Sequence, residues 1–454
     1  MRMNNARLSD VIAAMGGELA QGGAEADVTG VSTDSRTLRP GDLFFALAGE
    51  NADGHEFAAA ALASGASAAV VSRPVEASGA VIRVPDTLVA LGDLAAWHRR
   101  RFDVRVVAVT GSVGKTTTKE MIAAVLAPRF KVLKNAGNFN NEIGVPLTLF
   151  QLEPDHQILV QEMAMRLPGE IADLAEIVRP DIGVITNVGL SHIERLGSPD
   201  AIAAAKAELI EALPPDGISI LNADDPYFDY LSGKSAGGVV SFGIASGDVR
   251  AKDVGIDSEG WPCFTVVVGQ ATFPVALPIV GEHNVPNALA AAAVGLCFGL
   301  PASDIAEALE GFSPPEKRAN VFFARGGWKV FDDTYNASPA SMASALRTLA
   351  AMNGARKIAV LGDMLELGDH ARPAHLEIGK LAAESGLSVL VTVGELARGI
   401  AAGARSAGFK GDTQQFAASD EAAAALKDGV RPGDVVLVKG SRAMKMENIV
   451  EVLK

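Results

Sequence analysis

The sequence predicts an α/β protein of three domains, and three observations carry that prediction. Its 454 residues correspond to about three units at roughly 150 residues per domain. Strand-like apolar runs alternate with helix-like apolar stripes, the pattern of mostly parallel sheets covered by helices. Residues of apolar type make up 48% of the chain, enough to fill several cores and too many for a disordered chain. Changes of local pattern place the domains at 1–103, 104–313 and 314–454.

The first block is expected to be a small α/β domain. Pro40-Gly41 is a turn signal that leads into an apolar strand over 43–47. An Ala-rich helix follows, then a short strand over 68–71. The block closes at the basic stretch "HRRRFD".

The middle block opens on the strand "VRVVAVT", a glycine-rich turn, and a helix with Met121, Ile122, Val125 and Leu126 on one face. Strand-then-helix units then recur. "HQILVQEM" reads as a strand and "PGEIADLAEIV" as a helix, with Pro168 near its first turn and Ile171, Leu174, Ala175 and Val178 on one face. "DIGVITNV" and "PDAIAAAKAELIEAL" repeat the pair. The paired prolines of "SPPEKR" make a hinge.

The last block starts with "NVFFARGGWKVFDD", a hairpin expected to turn at Gly326-Gly327. "RKIAVLGDM", "LSVLVTVGE" and "DVVLVKGS" are apolar runs that each end in a Gly-containing loop. That is the pattern of a Rossmann-like doubly wound sheet, with ligands at the carboxyl ends of the strands.

Composition excludes several function classes. A formal charge of -14 argues against a nucleic-acid-binding protein, so an anionic ligand must be held by local donors. The two cysteines, Cys263 and Cys297, stand in apolar surroundings and fit neither a disulfide framework nor a metal knuckle; they suit a reducing cytosol. The start of the chain lacks the apolar core of a signal peptide. The run "NALAAAAVGLCFGL" is short for a membrane span and is expected to be a buried helix. The expectation is a soluble, cytoplasmic monomer without a membrane span.

The chemistry concentrates at "TGSVGKTTT". Backbone N–H groups around Gly111 and Gly114 can form an anion nest at a helix N-terminus. Lys115 brings a point charge to phosphates, and the Thr116 hydroxyl can ligate Mg²⁺. The spacing is short: the position five residues before Gly114 holds Val109, where the usual phosphate loop has glycine. Glu162 ends one strand and His192 lies in the loop "NVGLSHIE" after another, so both are expected at the edge that carries the phosphate loop. A carboxylate and a neutral imidazole there could hold Mg²⁺ on a transferring phosphate.

Lys206 falls in the middle of the stripe Ile202, Lys206, Leu209, Ile210 and Leu213. Either its head snorkels to water, or it is a desolvated amine of lowered pKa, able to add CO₂ and become a carbamate. Asn284 and Asn287 open a buried helix; they cap it or contact a nucleotide base. Arg318 follows the hinge, and Asp333 ends a strand before "TYNASP", where Ser338-Pro339 starts a helix. An arginine and an aspartate beyond a hinge reach ATP only on domain closure.

Together these residues resemble the Mur ligase family over nearly the whole chain. The resemblance implies that "TGSVGKTTT" is the family's short phosphate loop and that Gly111, Ser112, Val113, Gly114, Lys115, Thr116 and Thr117 bind ATP. It carries the metal role to His192 and the carbamylated-lysine role to Lys206 within "ITNVGLSHIERLGSPDAIAAAKAEL". Glu162 and Thr116 complete the implied Mg²⁺ set, and Lys115, Glu162, His192 and Lys206 the implied catalytic set.

"GEHNVPNALAA" resembles the adenine-contact segment, with Asn284 and Asn287; Arg318 and Asp333 match the closing-domain contacts to ATP. "KNAGNFNNEIGVPLT" brings Asn138 and Asn141 to the substrate. "STDSRTLRPGDLFFALAGENADGHEF" resembles a UDP-sugar domain, pointing to Ser32, Asp34, Ser35 and Arg36. "DDTYNASP" and "VLGDMLELG" resemble the members that join D-alanyl-D-alanine to UDP-N-acetylmuramoyl-tripeptide, with Tyr335 and Asn336 at the dipeptide; no "DNPR"-like run of the diaminopimelate-adding members is found. Two positions depart from the pattern: Ala164 stands where glycine is expected, and Ser338 where asparagine is usual. The implied activity is ATP- and Mg²⁺-dependent amide formation through an acyl phosphate. A diaminopimelate-adding ligase, a folylpolyglutamate synthetase-like ligase and a non-ligating ATP switch remain alternatives at this point.

Overall fold

The chain alternates buried strands with helices, and in the computed structural model, which describes residues 2–49, 52–191 and 193–454, those strands gather into three sheets. Among the described residues the sheets have six, nine and six strands. The N-terminal sheet runs in the order Arg2–Arg7, Asp27–Ser32, Asp42–Phe45, Ala68–Val71, Val81–Arg83, Glu18–Gln21. Its four inner strands are parallel and its two edges antiparallel. Helix Thr87–Arg99 closes this domain and packs on two helices of the next, Gly144–Leu149 and Glu170–Val178, fixing the two domains against each other.

The central sheet centres on strand Arg105–Thr110, flanked in parallel by Ile158–Glu162 and Ile182–Ile185. These strands are buried on both faces and read as unbroken apolar runs, as doubly covered parallel strands do. Their carboxyl ends lie along one edge, where the loop before helix Lys115–Leu126 sits. The helix expected from "PGEIADLAEIV" begins at Glu170, with Gly169 as its N-cap residue and Pro168 just outside.

From Gly238 onward the strict alternation with helices breaks. Strands Gly238–Gly243, Val249–Ile256, Pro262–Val268 and Ala271–Ala276 follow one another with no helix between them, and the last two add antiparallel. The residues there alternate in burial, the mark of strands with one wet face. Cys263, expected in apolar surroundings, is exposed on one of them, while Cys297 is partly covered.

The C-terminal sheet has the order Asn320–Phe323, Lys329–Asp333, Val435–Lys439, Lys357–Gly362, Val389–Val393, Asp412–Phe416. The first pair is the hairpin expected around Gly326-Gly327, and the remaining neighbours are parallel. Strand Asp412–Phe416 carries the run "DTQQF", too polar to be read as a strand from pattern. The central sheet's turn 257–261 reaches this domain: Glu259 pairs with Lys329 at 2.5 Å, and Ser258 O accepts the Asn353 N–H at 3.0 Å. No helix among the described residues is long and apolar enough to cross a membrane, and the run "NALAAAAVGLCFGL" belongs to the buried helix Asn284–Cys297 and the turn after it.

Candidate active site

The phosphate loop is shaped by two glycines. Gly111 has φ +149°, and a Cβ there would lie 1.9 Å from Thr186 Oγ1. Gly114 has φ +88°, and a Cβ there would lie 2.4 Å from Asn287 Oδ1. Only glycine takes that backbone and that closeness together. The loop is tied to its neighbour: Asn187 Oδ1 accepts the Val113 N–H at 3.0 Å, and Thr186 Oγ1 donates to Val113 O at 2.6 Å. The Lys115 ammonium folds back onto Gly111 O at 2.7 Å. Burial lowers its pKa below the usual lysine value; Glu162 opposes that shift and Arg318 adds to it.

Glu162 ends its strand beside this loop and is buried. Thr116 Oγ1 donates to its Oε2 at 2.7 Å, and Asn140 Nδ2 donates to its Oε1 at 2.8 Å. Behind it, the Glu162 N–H is held by Asn135 Oδ1 at 2.8 Å, and the fully buried Lys119 ammonium anchors Asn135 O at 2.7 Å. Hard oxygen donors so close together, facing the phosphate loop, are the chemistry that suits Mg²⁺. His192 lies outside the described residues.

Lys206 is 2% exposed, on the buried stripe of helix Pro199–Glu211. Its ammonium makes no hydrogen bond or ion pair among the described residues. Burial and the nearby Lys115 charge push its pKa well below the usual value, against a smaller opposite pull from Asp225. The snorkelling alternative does not describe this side chain.

Across the cleft stand residues of two other segments. Asn284 and Asn287 do not cap their helix. Asn284 Nδ2 donates to Val280 O at 2.9 Å, Asn287 Nδ2 donates to Asn284 Oδ1 at 3.0 Å, and Asn287 Oδ1 accepts Thr118 Oγ1–H at 3.1 Å. Beside them His283 is half-buried, and desolvation pushes the pKa of its imidazole down to about 4. From the C-terminal domain, Arg318 stacks on the Tyr335 ring at 3.8 Å, and Asp333 pairs with the buried Lys439 at 2.5 Å. Lys439 also donates to Asn336 O at 2.9 Å. Ser338 caps helix Pro339–Ala351 through a capping box with Ser341, which accounts for its place without any ligand.

One cavity of about 240 Å³ is lined by the phosphate loop from Ser112 to Thr117, Glu162, Asn284, Asn287, Arg318, Asp333, Tyr335 and Asn336. It thus joins stretches far apart in sequence and spans two domains. Asn138 and Asn141 line an adjoining cavity instead. Ser32 and Asp34 line a third, about 1070 Å³, between the N-terminal and central domains. Ser35 and Arg36 are outside that lining, and the Arg36 guanidinium is spent on Asp34 at 2.7 Å, holding that carboxyl down to about 2. Asn140, Asn135, Lys119, His283 and Lys439 were not singled out from sequence. Lys439 had a usable signal, a charge at the end of the apolar run "DVVLVKGS"; the asparagines had none beyond sitting near the loop.

Comparison with known proteins converges on one family. The Mur ligase middle domain matches residues 109–295, the Mur ligase glutamate ligase domain 317–442, and the Mur ligase family catalytic domain 27–99. The UDP-N-acetylmuramoyl-tripeptide–D-alanyl-D-alanine ligase of Synechocystis is 42% identical over 431 residues, covering 94% of this chain and 92% of its own. The crystal structure of MurF from Acinetobacter baumannii superposes with a TM-score of 0.93 at 34% identity, covering 100% of this chain and 99% of that one. MurF ligase from Thermotoga maritima, solved with ADP, superposes with a TM-score of 0.84 at 31% identity over 93% of this chain and 96% of its own.

Proposed function

This chain belongs to the Mur ligase family, and from that premise we infer that it adds D-alanyl-D-alanine to UDP-N-acetylmuramoyl-tripeptide with ATP, in peptidoglycan precursor synthesis. The observation that carries the reading is the full-length likeness to ligases of that activity, together with a phosphate loop that shares one cavity with Glu162 and with the C-terminal domain's Arg318 and Asp333. A switch that only binds nucleotide has no need of that convergence.

The tripeptide's terminal carboxylate attacks the terminal phosphorus of ATP, ADP leaves, and an acyl phosphate forms. The dipeptide's amine attacks the acyl carbon, loses a proton, and phosphate departs. A carboxylate meeting a triphosphate is a like-charge encounter, which the loop N–H groups and Lys115 offset. Thr116 and Glu162, with His192, would hold Mg²⁺, which supplies positive charge to the transferring phosphate. Asn140 holds the Glu162 carboxylate, and Asn135 holds its backbone N–H.

Lys206 acts as a carbamate. In its neutral form the desolvated amine adds CO₂ and releases one proton to solvent, and the carbamate's negative charge then sits near the Lys115 ammonium instead of a second cation. Asn284 and Asn287 flank the base, and Arg318 and Asp333 close over the nucleotide. Tyr335 and Asn336, in the loop that Lys439 pins, meet the incoming dipeptide. The cavity lined by Ser32 and Asp34 takes the UDP end, and Asn138 and Asn141 lie along the path of the peptide. Closure across the hinge keeps water from the acyl phosphate. The reaction takes place in the cytoplasm, where ATP is made, and the enzyme works as a monomer.

Mass spectrometry of a reaction with ATP, MgCl₂, UDP-N-acetylmuramoyl-tripeptide and D-alanyl-D-alanine tests the reading. It expects the UDP-muramoyl-pentapeptide and one ADP per product. ADP release without a joined peptide would support the switch.

A further inference from the structure

Two cavities meet beside Glu162. One is the nucleotide cleft. The other, about 290 Å³, is walled by loop 138–144 and by residues 164–166. Asn140 and Ala164 line both, and Asn140 is the residue that donates to Glu162. A carboxylate poised for phosphorylation near Glu162 therefore has the rest of its own residue within reach of the second cavity. On the ligase reading proposed above, that residue is the third of the tripeptide.

The charges of this side cavity are unusual. Arg166, Glu142 and Glu170 all line it. Glu170 is already engaged: its Oε2 accepts the N–H groups of Arg166 and Leu167, which fixes the turn that carries Arg166. Among the described residues, the Arg166 guanidinium and the Glu142 carboxylate form no hydrogen bond or ion pair. One cavity thus offers an unspent planar cation and an unspent carboxylate. A guanidinium fork binds a carboxylate in two parallel hydrogen bonds, and a carboxylate takes an ammonium. A side chain ending in an amine alone would satisfy only Glu142, and an aliphatic one would satisfy neither.

We propose that this side cavity selects the tripeptide by its third residue, favouring a side chain that ends in an amino-carboxylate head, and that Arg166 is the specificity-determining residue. The free acid of that head meets Arg166 while the residue's other carboxylate goes to ATP. Arg166 thereby also decides which of two carboxylates is phosphorylated. Ala164, the residue that departs from the family's glycine, stands at the junction of the two cavities and puts a methyl group between the reacting carboxylate and the selecting one.

The test compares UDP-muramoyl-tripeptides ending in meso-2,6-diaminopimelate and in L-lysine, each with ATP, MgCl₂ and D-alanyl-D-alanine. Wild type is expected to favour the diaminopimelate substrate in kcat/KM by about tenfold or more, since a site built for a charged partner rejects the analogue lacking it. Arg166→Ala is expected to remove that preference through a higher KM for the diaminopimelate substrate at similar kcat, leaving the lysine substrate unchanged. Arg166→Lys is expected to restore part of it. Arg166 is exposed, and equal melting temperatures of wild type and variant would show that folding is intact. Equal loss with both substrates, or an unchanged preference, would overturn the assignment. A wild type that joins both substrates without preference overturns the selection and leaves the ligase reading standing; one that joins neither overturns the ligase reading itself.

Discussion

Lys439 and Lys206 are equally buried, each 2% exposed, yet their surroundings are opposite. Lys439 ends strand Val435–Lys439 with a carboxylate at 2.5 Å and the Asn336 carbonyl at 2.9 Å. Its charge is matched, and it clamps the loop that carries Asp333 and Asn336. Lys206 sits on an apolar helix face with another cation, Lys115, as its nearest strong influence after burial itself. Both influences favour its neutral form, and a neutral amine is a nucleophile. Burial does not assign a lysine its role; the partners buried with it do.

The contrast can be broken most forcefully at Lys206. Lys206→Ala is expected to lower ligation by about a thousandfold or more, the scale of losing an electrostatic element of a phosphoryl-transfer site. A small added carboxylate should restore part of the rate. Full activity without rescue would remove the carbamate from the mechanism. At Lys439 the expected loss is of a different kind. Lys439→Met strands the Asp333 carboxylate, which should cost about 3 kcal/mol of stability, seen as an earlier urea transition of the C-terminal domain, and no added carboxylate should help.

A pH series sharpens the same comparison. The folded-state pKa of Lys206 lies well below its usual value of 10.5. Between those two values the unfolded chain binds a proton that the native chain does not, so stability rises with pH across that window. Below the folded pKa the full penalty of burying the charge is felt. In CO₂-free buffer, where the amine carries no carbamate, unfolding midpoints should therefore climb toward pH 10 in wild type and climb less in Lys206→Met; equal slopes would contradict the buried, desolvated amine. The smallest expected effect is at the start of helix Pro339–Ala351, where Ser338→Ala removes a capping box and should cost about 1 kcal/mol.

Much of this site could be read in the sequence because its parts sit where the chain changes type. The phosphate loop, Glu162 and Asp333 each stand at the carboxyl end of an apolar run, and Lys206 interrupts a helical stripe. Those are local signals. Asn140, Asn135 and Lys119 were invisible because their roles exist only across the fold, between strand ends brought together by the sheet. The asparagines Asn284 and Asn287 looked like caps, since capping is a local preference, but Asn284 turns back to Val280 O and Asn287 bonds Asn284 and Thr118 of the phosphate helix instead. In the sheets, the buried parallel strands were legible as unbroken apolar runs, whereas the half-wet strands from Val249 to Ala276 and the polar edge strand Asp412–Phe416 were not, because one exposed face dilutes the apolar signal.

Activation of the tripeptide's acid in the shared cleft is tested most directly by isotope transfer. With the tripeptide's terminal carboxylate labelled with oxygen-18, the phosphate released during ligation should carry one labelled oxygen, and ADP none. Unlabelled phosphate, or label in a nucleotide product, would contradict it.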